Sequence, residues 1–337
     1  MISAIATRAR SVYTRVGERN LVYLGVLVVI AALPSLMGWF IASHMIIMAI
    51  FVMGYNIILG FGGELSFGHA AFFGLGAYGV ILSLEHLVSS LYLAIPITVI
   101  GVTIISVVFG YLSLRRRGIY FAMITLALAQ LVYTIIFQMN ELTGGTNGIA
   151  IPITEAPLGP LAPMSNDLHF YVLSCALFML SFLAIVRIVN SPFGRILKGI
   201  RESEERALHL GYDVNSYLWL AFAMSGAFSA LAGALYAVLF VFISPSILFW
   251  QLSGEVVLMT IIGGVGTLTG PLIGAIIFIF FSDTLTRVTE HWEIFFGAVI
   301  IGIVLLAPEG LIGLVRKAIF DEEKAFDLER LLERLRR

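Results

Sequence analysis

The sequence predicts an all-α polytopic membrane protein with about ten transmembrane helices, or nine if one glycine-interrupted segment does not cross the bilayer. Hydrophobic residues make up 59% of its 337 residues and charged residues only 12%, whereas soluble domains are ~45–50% apolar and ~25% charged. Several apolar runs are long enough to cross ~30 Å of hydrocarbon, which takes about 20 helical residues. The 33 glycines are typical of membrane helices that pack closely or are broken.

Composition and missing motifs exclude several classes of function. The net charge of −1 gives no basic excess for nucleic acid. The one cysteine, Cys175, rules out a disulfide or a thiolate metal site within one chain. The chain has no G-x-x-x-x-G-K-[ST] motif for ATP and no H-E-x-x-H motif for zinc, and Ser66 lies in no nucleophile elbow. We therefore expect no catalytic activity, no bound metal and no cofactor.

The predicted crossings follow from the apolar runs in chain order. They lie at 21–37, 40–60, 66–84, 92–114, 119–138, 169–188, 217–241 and 293–307. The region 251–286 is also apolar but is interrupted by Gly263 to Gly270. We interpret it as a short half-helix, a turn and a longer helix from Pro271. This gives ten passes if both pieces cross and nine helices if the first piece is re-entrant.

The distribution of positive charge predicts that both chain ends are cytoplasmic. With ten passes and this orientation, all of the 20 Lys and Arg residues except Arg287 face the cytoplasm, as the positive-inside rule requires. The four tryptophans then fall at the ends of crossings, where an aromatic belt is expected; they are Trp39, Trp219, Trp250 and Trp292. We divide the chain into a basic cytoplasmic segment 1–20, which we expect not to be a cleaved signal, a membrane domain 21–315 and a cytoplasmic helix 316–337.

A polar island at Gly194 to Asn215 lies inside the cytoplasmic loop 189–216, between two long apolar runs. Helical spacing predicts one amphipathic helix with a small or apolar face at Ile196, Ile200, Ser203, Ala207 and Leu210. Charged residues fall on the other faces; they are Lys198, Arg201, Glu202, Glu205 and His209. Such a helix suggests a docking surface, and a solvated loop that separates two crossings is the alternative.

The first glycine-rich break runs from Gly60 to Gly79. Glycines at its start, Gly60, Gly62 and Gly63, would loosen a helix and expose backbone groups, which hydrocarbon tolerates only beside protein or a watery cavity. This predicts a translocation path at the break, lined by Gly62, Gly63, Glu64, Ser66 and His69. Two alternatives remain open: Glu64 is an interfacial carboxylate, and His69 is a hydrogen-bonded packing histidine. A stripe at Gly68, Ala71, Gly74 and Ala77 or Tyr78 predicts a smooth face that another helix, or a passing solute, can approach closely.

The second break, Gly263 to Ala275, repeats the pattern of paired glycines, a hydroxyl residue and a following helix. Two glycine-interrupted segments in the two halves of a membrane protein are typical of a site near the midplane. We therefore add Gly263, Gly264 and Thr267 to the predicted path. Tight helix packing is the alternative.

Two further segments complete the chain. The loop 139–168 contains no Lys or Arg and is predicted to face outward, with Thr143, Gly144, Gly145 and Asn147 in a structured lip or short helix. The tail 316–337 has helical apolar spacing with interspersed charge, which favours a solvated or capping helix over a specific partner site.

Four segments in this order resemble the permeases of ABC importers for branched-chain amino acids and related small solutes, the hydrophobic amino acid uptake family. They are GGELSFGHAAFFGLGAY at 62–78, LTGGTNGI at 142–149, IRESEERALHLGYDVNSYLWLAFAMSGAFSALAGALYA at 200–237 and IIGGVGTLTGPLIGA at 261–275. The resemblance covers nearly the whole chain. It implies that the cytoplasmic loop couples to an ATPase through a version of the E-A-A-x-x-x-G motif, which keeps Glu205, Ala207 and Gly211 but places Arg206 at the first alanine. Arg201 and Glu202 join them in the implied coupling loop.

The resemblance also implies the partners and the location. They are a second homologous permease subunit, two ABC ATPase subunits, an extracytoplasmic solute-binding protein and the lipid bilayer of a prokaryotic plasma (inner) membrane. The small solute would be a branched-chain amino acid or a related amino acid, with a urea or amide permease as the alternative. A channel or a secondary carrier that needs no ATPase is a different class, and the predicted crossings lack the ionisable relay that proton coupling requires. An intramembrane enzyme is disfavoured because His44, His69 and His86 do not cluster by spacing.

Overall fold

The computed structural model describes residues 25–88, 90–150 and 167–287, together with 294, 297–298, 301–302 and 310–313. Its long apolar helices coincide with predicted apolar runs. In chain order the described helices are α1 (Gly25–Met37), α2 (Trp39–Asn56, continued by a π-helix at Ile57–Phe61), α3 (His69–His86), α4 (Leu91–Ser113), α5 (Ile119–Gln138), α6 (Asn140–Thr143), α7 (Asp167–Asn190), α8 (Pro192–Glu202), α9 (Glu204–His209), α10 (Val214–Phe240), α11 (Trp250–Gly263) and α12 (Gly270–Thr286).

Within the described residues, 5 helices are long and apolar enough to cross a membrane: α2 with its π-helical extension, α4, α5, α7 and α10. Helices α1 and α12 are shorter apolar helices, and α11 and α12 form the predicted pair on either side of the second break. The described part of the membrane domain is therefore all-helical apart from one short ladder. The segments 1–20 and 316–337 lie outside the described residues, as does most of the crossing at 293–307, so the total of about ten crossings stays a prediction.

Helices α2, α3 and α10 form the centre of the bundle. The apolar window of α2 is 89% buried within this chain and that of α10 is 67% buried, whereas those of α4, α5 and α7 are at most 33% buried. A helix that is apolar all round and also buried belongs in a core, and an apolar helix that stays exposed in the single chain faces lipid or another subunit. The breaks that follow α2 and α11 therefore lie beside the most buried part of the bundle.

Glycines let α3 and α10 approach each other closely. A methyl group at Gly76 would lie 2.2 Å from the carbonyl oxygen of Ala230, and one at Gly233 would lie 1.8 Å from that of Phe73. Gly76 is not on the predicted stripe of small residues. Gly74, which is on that stripe, faces Leu248 of the 3-10 turn Pro245–Leu248 instead. A smooth face on α3 exists, but α10 packs beside the face that the spacing predicted.

The polar island forms two helices, so the prediction of one continuous helix is wrong. Ser203 has an extended backbone and ends α8, and its hydroxyl accepts from Arg206 N at 3.3 Å to cap α9. Leu197, Ile200 and Ala207 are buried. Because the helical register restarts at Ser203, Leu210 does not join the apolar face and is 76% exposed.

A short ladder that the sequence did not predict lies at the opposite end of α5 and α10. Strand β1 (Ile149–Ala150) pairs antiparallel with β2 (Phe242–Ile243). It joins the loop after α5 to the segment after α10. The predicted lip is thus tied to the end of a central helix.

Candidate functional site

The first break begins where α2 loosens into its π-helix. Beyond the π-helix, Gly62 N donates to Ile57 O and Gly63 N to Leu59 O, both at 3.1 Å. Gly63 then adopts a left-handed φ of 80° that favours glycine, and the chain continues in an irregular turn as far as α3. The predicted loosening by Gly60, Gly62 and Gly63 is therefore present.

Side chains of neighbouring helices satisfy the backbone of this turn. The Tyr55 hydroxyl donates to Ser66 O at 2.9 Å, and Phe67 N donates to the Thr125 hydroxyl at 3.1 Å. The Ser66 hydroxyl accepts from Gly68 N at 3.2 Å. These partners are protein groups, so the irregular backbone does not by itself indicate a watery cavity, which was the basis of the predicted path.

His69 and Ser66 are fully buried in this conformation. The ring nitrogens of His69 lie 3.0 Å from the Ser66 hydroxyl and 2.7 Å from that of Ser225. Tyr55 and Phe222 meet the imidazole edge to face at 4.8 and 5.3 Å between ring centroids. This geometry is that of a hydrogen-bonded packing histidine, and the role of Ser66 and His69 in a path stays a prediction.

The second break is a tight turn fastened by Thr267. Its hydroxyl donates to Gly264 O at 2.8 Å and accepts from Gly270 N at 3.1 Å. Gly264 and Gly266 have positive φ values of 117° and 79°. A methyl group at Gly263 would lie 1.9 Å from Gly270 O. The glycines here permit close packing of α11 on α12, which is the alternative that the sequence left open.

Asn56 joins the two breaks. Its side-chain nitrogen donates to Thr267 O at 2.8 Å, and its side-chain oxygen accepts from Gly266 N at 3.0 Å. Gly60 must be glycine at this contact, because a methyl group there would lie 1.9 Å from the Asn56 oxygen and 2.6 Å from Gly266 N. Sequence reasoning missed Asn56, although a lone amide within a long apolar helix was a usable signal. We call Asn56 to Gly63 together with Gly264 to Thr267 the junction.

Arg201 reaches from α8 to both sides of the junction. Its guanidinium donates to Gly60 O, and the same side chain lies against Gly63 and Gly266. Nearby, the Lys198 ammonium lies 5.3 Å from the centroid of the Phe61 ring, within reach of a cation–π interaction. Arg201 was predicted on the docking surface, yet its charged end contacts the membrane bundle.

Arg117 connects Glu64 to α9 and α10. Its Nε atom lies 3.1 Å from Glu204 Oε1 and 3.8 Å from Glu64 Oε1, and its Nη2 atom donates to Asn215 Oδ1. Glu64 also accepts from Gly118 N at 3.2 Å. The geometry supports the interfacial interpretation of Glu64. Arg117, Glu204 and Asn215 were not among the predicted site residues.

The electrostatics of Glu64 combine opposing effects. Burial raises the pKa of the Glu64 carboxyl above its ordinary value of 4.5. The Gly118 N–H and the Arg117 charge lower this pKa, and the Glu204 charge raises it further. Burial is the largest of these effects. Burial of the charged carboxylate is therefore unfavourable, and the charge of Arg117 offsets part of this cost.

The face of α8 and α9 that is turned away from the junction carries a groove of about 440 Å³. It is lined by Pro192, Arg195, Ile196, Gly199, Glu202, Arg206, Ala207, Leu210 and Tyr212. Of the predicted coupling residues, Glu202 and Ala207 lie here. Glu205 is exposed and 3.8 Å from His209, and Gly211 follows α9 with a φ of 86°. The predicted coupling set thus divides between this groove, the exposed surface and the junction.

The predicted lip residues have mainly structural contacts. Thr143 is buried, and its hydroxyl donates to Ile136 O at 2.6 Å. Gly144 and Gly145 have left-handed φ values of 67° and 53°. Asn147 is exposed in the 3-10 turn Gly145–Asn147. Of these residues, Asn147 is the one whose exposure leaves it available to a partner.

Comparison with known proteins shows the family to which this chain belongs. Residues 20–304 match the family profile described as branched-chain amino acid transport system / permease component. The chain is 26% identical over 298 residues to the high-affinity branched-chain amino acid transport system permease protein LivM of Escherichia coli (strain K12), a match that covers 82% of this chain and 70% of that protein. It is 24% identical over 282 residues to the corresponding protein LivH of Salmonella typhimurium, covering 79% of this chain and 91% of that protein. No solved structure matches the chain.

Proposed function

Because this chain belongs to the family of branched-chain amino acid transport system permease components, we propose that it is the membrane permease subunit of an ABC importer. The family is one of multi-pass transport permeases rather than catalytic enzymes. The proposed solute is a branched-chain amino acid or a related small amino acid or amide. Relatives at 24–26% identity support the transport class more strongly than the particular solute.

The proposed partners are a second homologous permease, two ABC ATPase subunits and an extracytoplasmic solute-binding protein. Similarity to two differently named permeases, LivM and LivH, supports a pair of related membrane subunits. The proposed location is a prokaryotic plasma membrane, with α8 and α9 in the cytoplasm and the lip outside. Clustering of Arg117, Arg201 and Lys198 at the same end of the bundle supports this orientation, because cytoplasmic ends of membrane helices are enriched in positive charge.

The observation that carries the mechanism is the contact of Arg201 with both breaks. In the proposed mechanism an ATPase subunit binds the groove on one face of α8 and α9. Closure of the ATPase dimer displaces α8, and Arg201 conveys this displacement to Gly60 and Gly266 on the other face. Arg117 conveys the movement of α9 to Glu64. Alternating access follows if the junction has different contacts in two states, since only differential interactions shift a conformational equilibrium.

Reconstitution of the complete importer tests this mechanism. Arg201→Glu places a carboxylate beside Gly60 O, so we expect loss of solute uptake while ATPase subunits still bind. Glu205 is exposed next to Arg206, which lines the groove, so we expect Glu205→Arg to weaken ATPase binding. If both reversals leave ATPase binding and uptake unchanged, the coupling assignment is wrong. A cysteine introduced at Ser203 should react with membrane-impermeant reagents only after the cytoplasmic side is opened.

The alternatives are separable by experiment. A channel or secondary carrier predicts solute flux through liposomes that contain the purified chain alone, whereas an ABC permease predicts flux only with the ATPase and ATP. The solute class is decided by direct binding measurements on the partner solute-binding protein. Preferential binding of leucine, isoleucine or valine supports the branched-chain assignment, and preferential binding of urea or amides supports the alternative.

A further inference from the structure

A second groove lies between the end of α4 and the start of α10, apart from the junction. Its volume is about 360 Å³, and it is lined by Gly110, Tyr111, Leu114, Arg115, Asn215, Ser216 and Trp219. It combines a guanidinium, two aromatic side chains and polar groups from the first turn of a helix. None of these lining residues is acidic. The groove therefore has the character of a site for an anionic, partly apolar ligand.

Arg115 provides the charge of the groove. Its guanidinium carbon lies 4.9 Å from the centroid of the Tyr111 ring, and among the described residues it forms no ion pair within 4.0 Å. Arg117, two residues further on, is already engaged with Glu204. The neighbouring acid, Asp213, caps α10 and accepts from Ser216 N and the Ser216 hydroxyl. Arg115 is thus the charged group of the groove that remains available to a ligand.

The aromatic residues of the groove are of the kind that is typical of a membrane interface. Trp219 is 37% exposed, and its indole nitrogen donates to Val107 O at 2.8 Å, which fixes the ring between α4 and α10. Tyr111 is 60% exposed. Amphipathic rings of this kind lie at the level of lipid headgroups, with the apolar part toward hydrocarbon and the polar part toward water.

An apolar stripe continues from the groove along α4. Ile100, Ile104 and Val108 are 62%, 61% and 51% exposed and follow one helical face toward Tyr111. This face is long enough for an acyl chain that starts at the groove, because one helical residue rises 1.5 Å. The stripe and the groove together match a molecule with an anionic head and a hydrocarbon tail.

We propose that this groove binds the headgroup phosphate of an anionic phospholipid, with Arg115 as the charged contact and the α4 stripe beneath its acyl chains. Basic pockets between transmembrane helices bind such headgroups by charge and by hydrogen bonding. The Asn215 side-chain amide contributes a neutral donor, since its oxygen is occupied by Arg117. The site requires only that this end of the bundle lies at a membrane surface, and it is independent of the transported solute.

The test measures lipids retained by the full chain. The protein is reconstituted in nanodiscs of equimolar phosphatidylglycerol and phosphatidylcholine, extracted gently and analysed by native mass spectrometry. We expect wild-type protein to retain more phosphatidylglycerol than phosphatidylcholine. Arg115→Gln should lower this preference about fivefold, which corresponds to the ~1 kcal/mol that one basic residue contributes near an anionic surface. Arg115→Lys should retain most of it.

Arg116→Gln is the matched control, because Arg116 is an exposed neighbour of equal charge that does not line the groove. It should lower the preference much less than Arg115→Gln does, because Arg116 has no contact with the groove. The proposal is overturned if wild-type protein retains both lipids equally, or if Arg116→Gln lowers the preference as much as Arg115→Gln does. Displacement of the lipid by soluble glycerol phosphate at equal concentration would identify a site for a free anion. Loss of the bound lipid when a second permease subunit joins would identify a protein interface instead.

Discussion

The side-chain amide of Asn56 and the backbone of Thr267 form a hydrogen bond of 2.8 Å between residues that are 211 positions apart in sequence. This contact brings the glycine-rich break after α2 against the glycine-rich turn between α11 and α12. Arg201 of helix α8 contacts the same point. Helix α8 and both breaks are therefore joined by direct contacts.

Asn56→Asp should destabilise the protein. The change removes the donor to Thr267 O and places a carboxylate at a position that is 2% exposed. A buried group without its hydrogen-bond partner costs about 1–3 kcal/mol, so the thermal unfolding midpoint of the purified protein should fall. Asn190→Asp, the same change at an exposed residue, is the control. Equal midpoints for both variants would show that the hydrogen bond from Asn56 to Thr267 contributes nothing to stability.

Gly60→Ala should abolish uptake by the reconstituted importer. The added methyl group would lie 2.6 Å from Gly266 N of the second break, so the two breaks must separate. Gly101→Ala is the control, since open space surrounds that position on α4. Alanine there should be neutral or stabilise the helix by about 0.5–1 kcal/mol. Normal uptake by Gly60→Ala would refute the requirement for close contact at the junction.

The ion pair of Arg117 and Glu204 should show measurable coupling. A double-mutant cycle with Arg117→Gln and Glu204→Gln, measured by reversible unfolding, should give about 0.2–1 kcal/mol, because both side chains are partly exposed. Salt should reduce this value. The pair of Glu205 and His209, which is 3.8 Å apart and mostly exposed, is the reference and should give none. Equal coupling in the two pairs would mean that Arg117 does not tie α9 to the bundle.

The stability difference between wild-type protein and Glu64→Gln should depend on pH. Burial raises the pKa of Glu64 in the folded state above 4.5, so the folded protein holds this proton more tightly than the unfolded chain does. The contribution of Glu64 to stability is therefore greatest at low pH and declines as pH rises from about 4.5 through the folded-state pKa. Unfolding midpoints measured from pH 4 to pH 8 should show wild-type protein losing stability relative to Glu64→Gln. An opposite slope would mean that the attraction to Arg117 exceeds the cost of burial.

Ser225→Ala should show whether His69 only packs in the bundle or also takes part in solute transport. Loss of the hydroxyl leaves a buried ring nitrogen of His69 without its partner and should cost about 1–3 kcal/mol of stability. If His69 only packs, the KM for uptake at a permissive temperature stays unchanged. Ser246→Ala, at an exposed serine, controls for loss of a hydroxyl and should change neither quantity. A raised KM with an unchanged unfolding midpoint would assign His69 to the solute path.

Much of the architecture could be predicted because length and hydropathy are local properties of a chain. The apolar runs gave helices such as α4 and α10 within a few residues, and the glycines of the second break gave the turn between α11 and α12. The charged residues that helical spacing places on the other faces of the island are exposed, although the guanidinium of Arg201 also contacts the bundle. The single island helix was wrong because Ser203 both ends one helix and caps the next, which periodicity of apolar residues does not reveal.

The sequence by itself determined an all-helical membrane protein with two glycine-broken segments and a polar island, since a helix that enters hydrocarbon must be apolar along its own length. Only the tertiary structure decided that Asn56, Arg117 and Arg201 hold those segments together. A hydrogen bond or ion pair depends on two groups that meet in space. The spacing of residues along the chain does not show which group on another helix will be the partner.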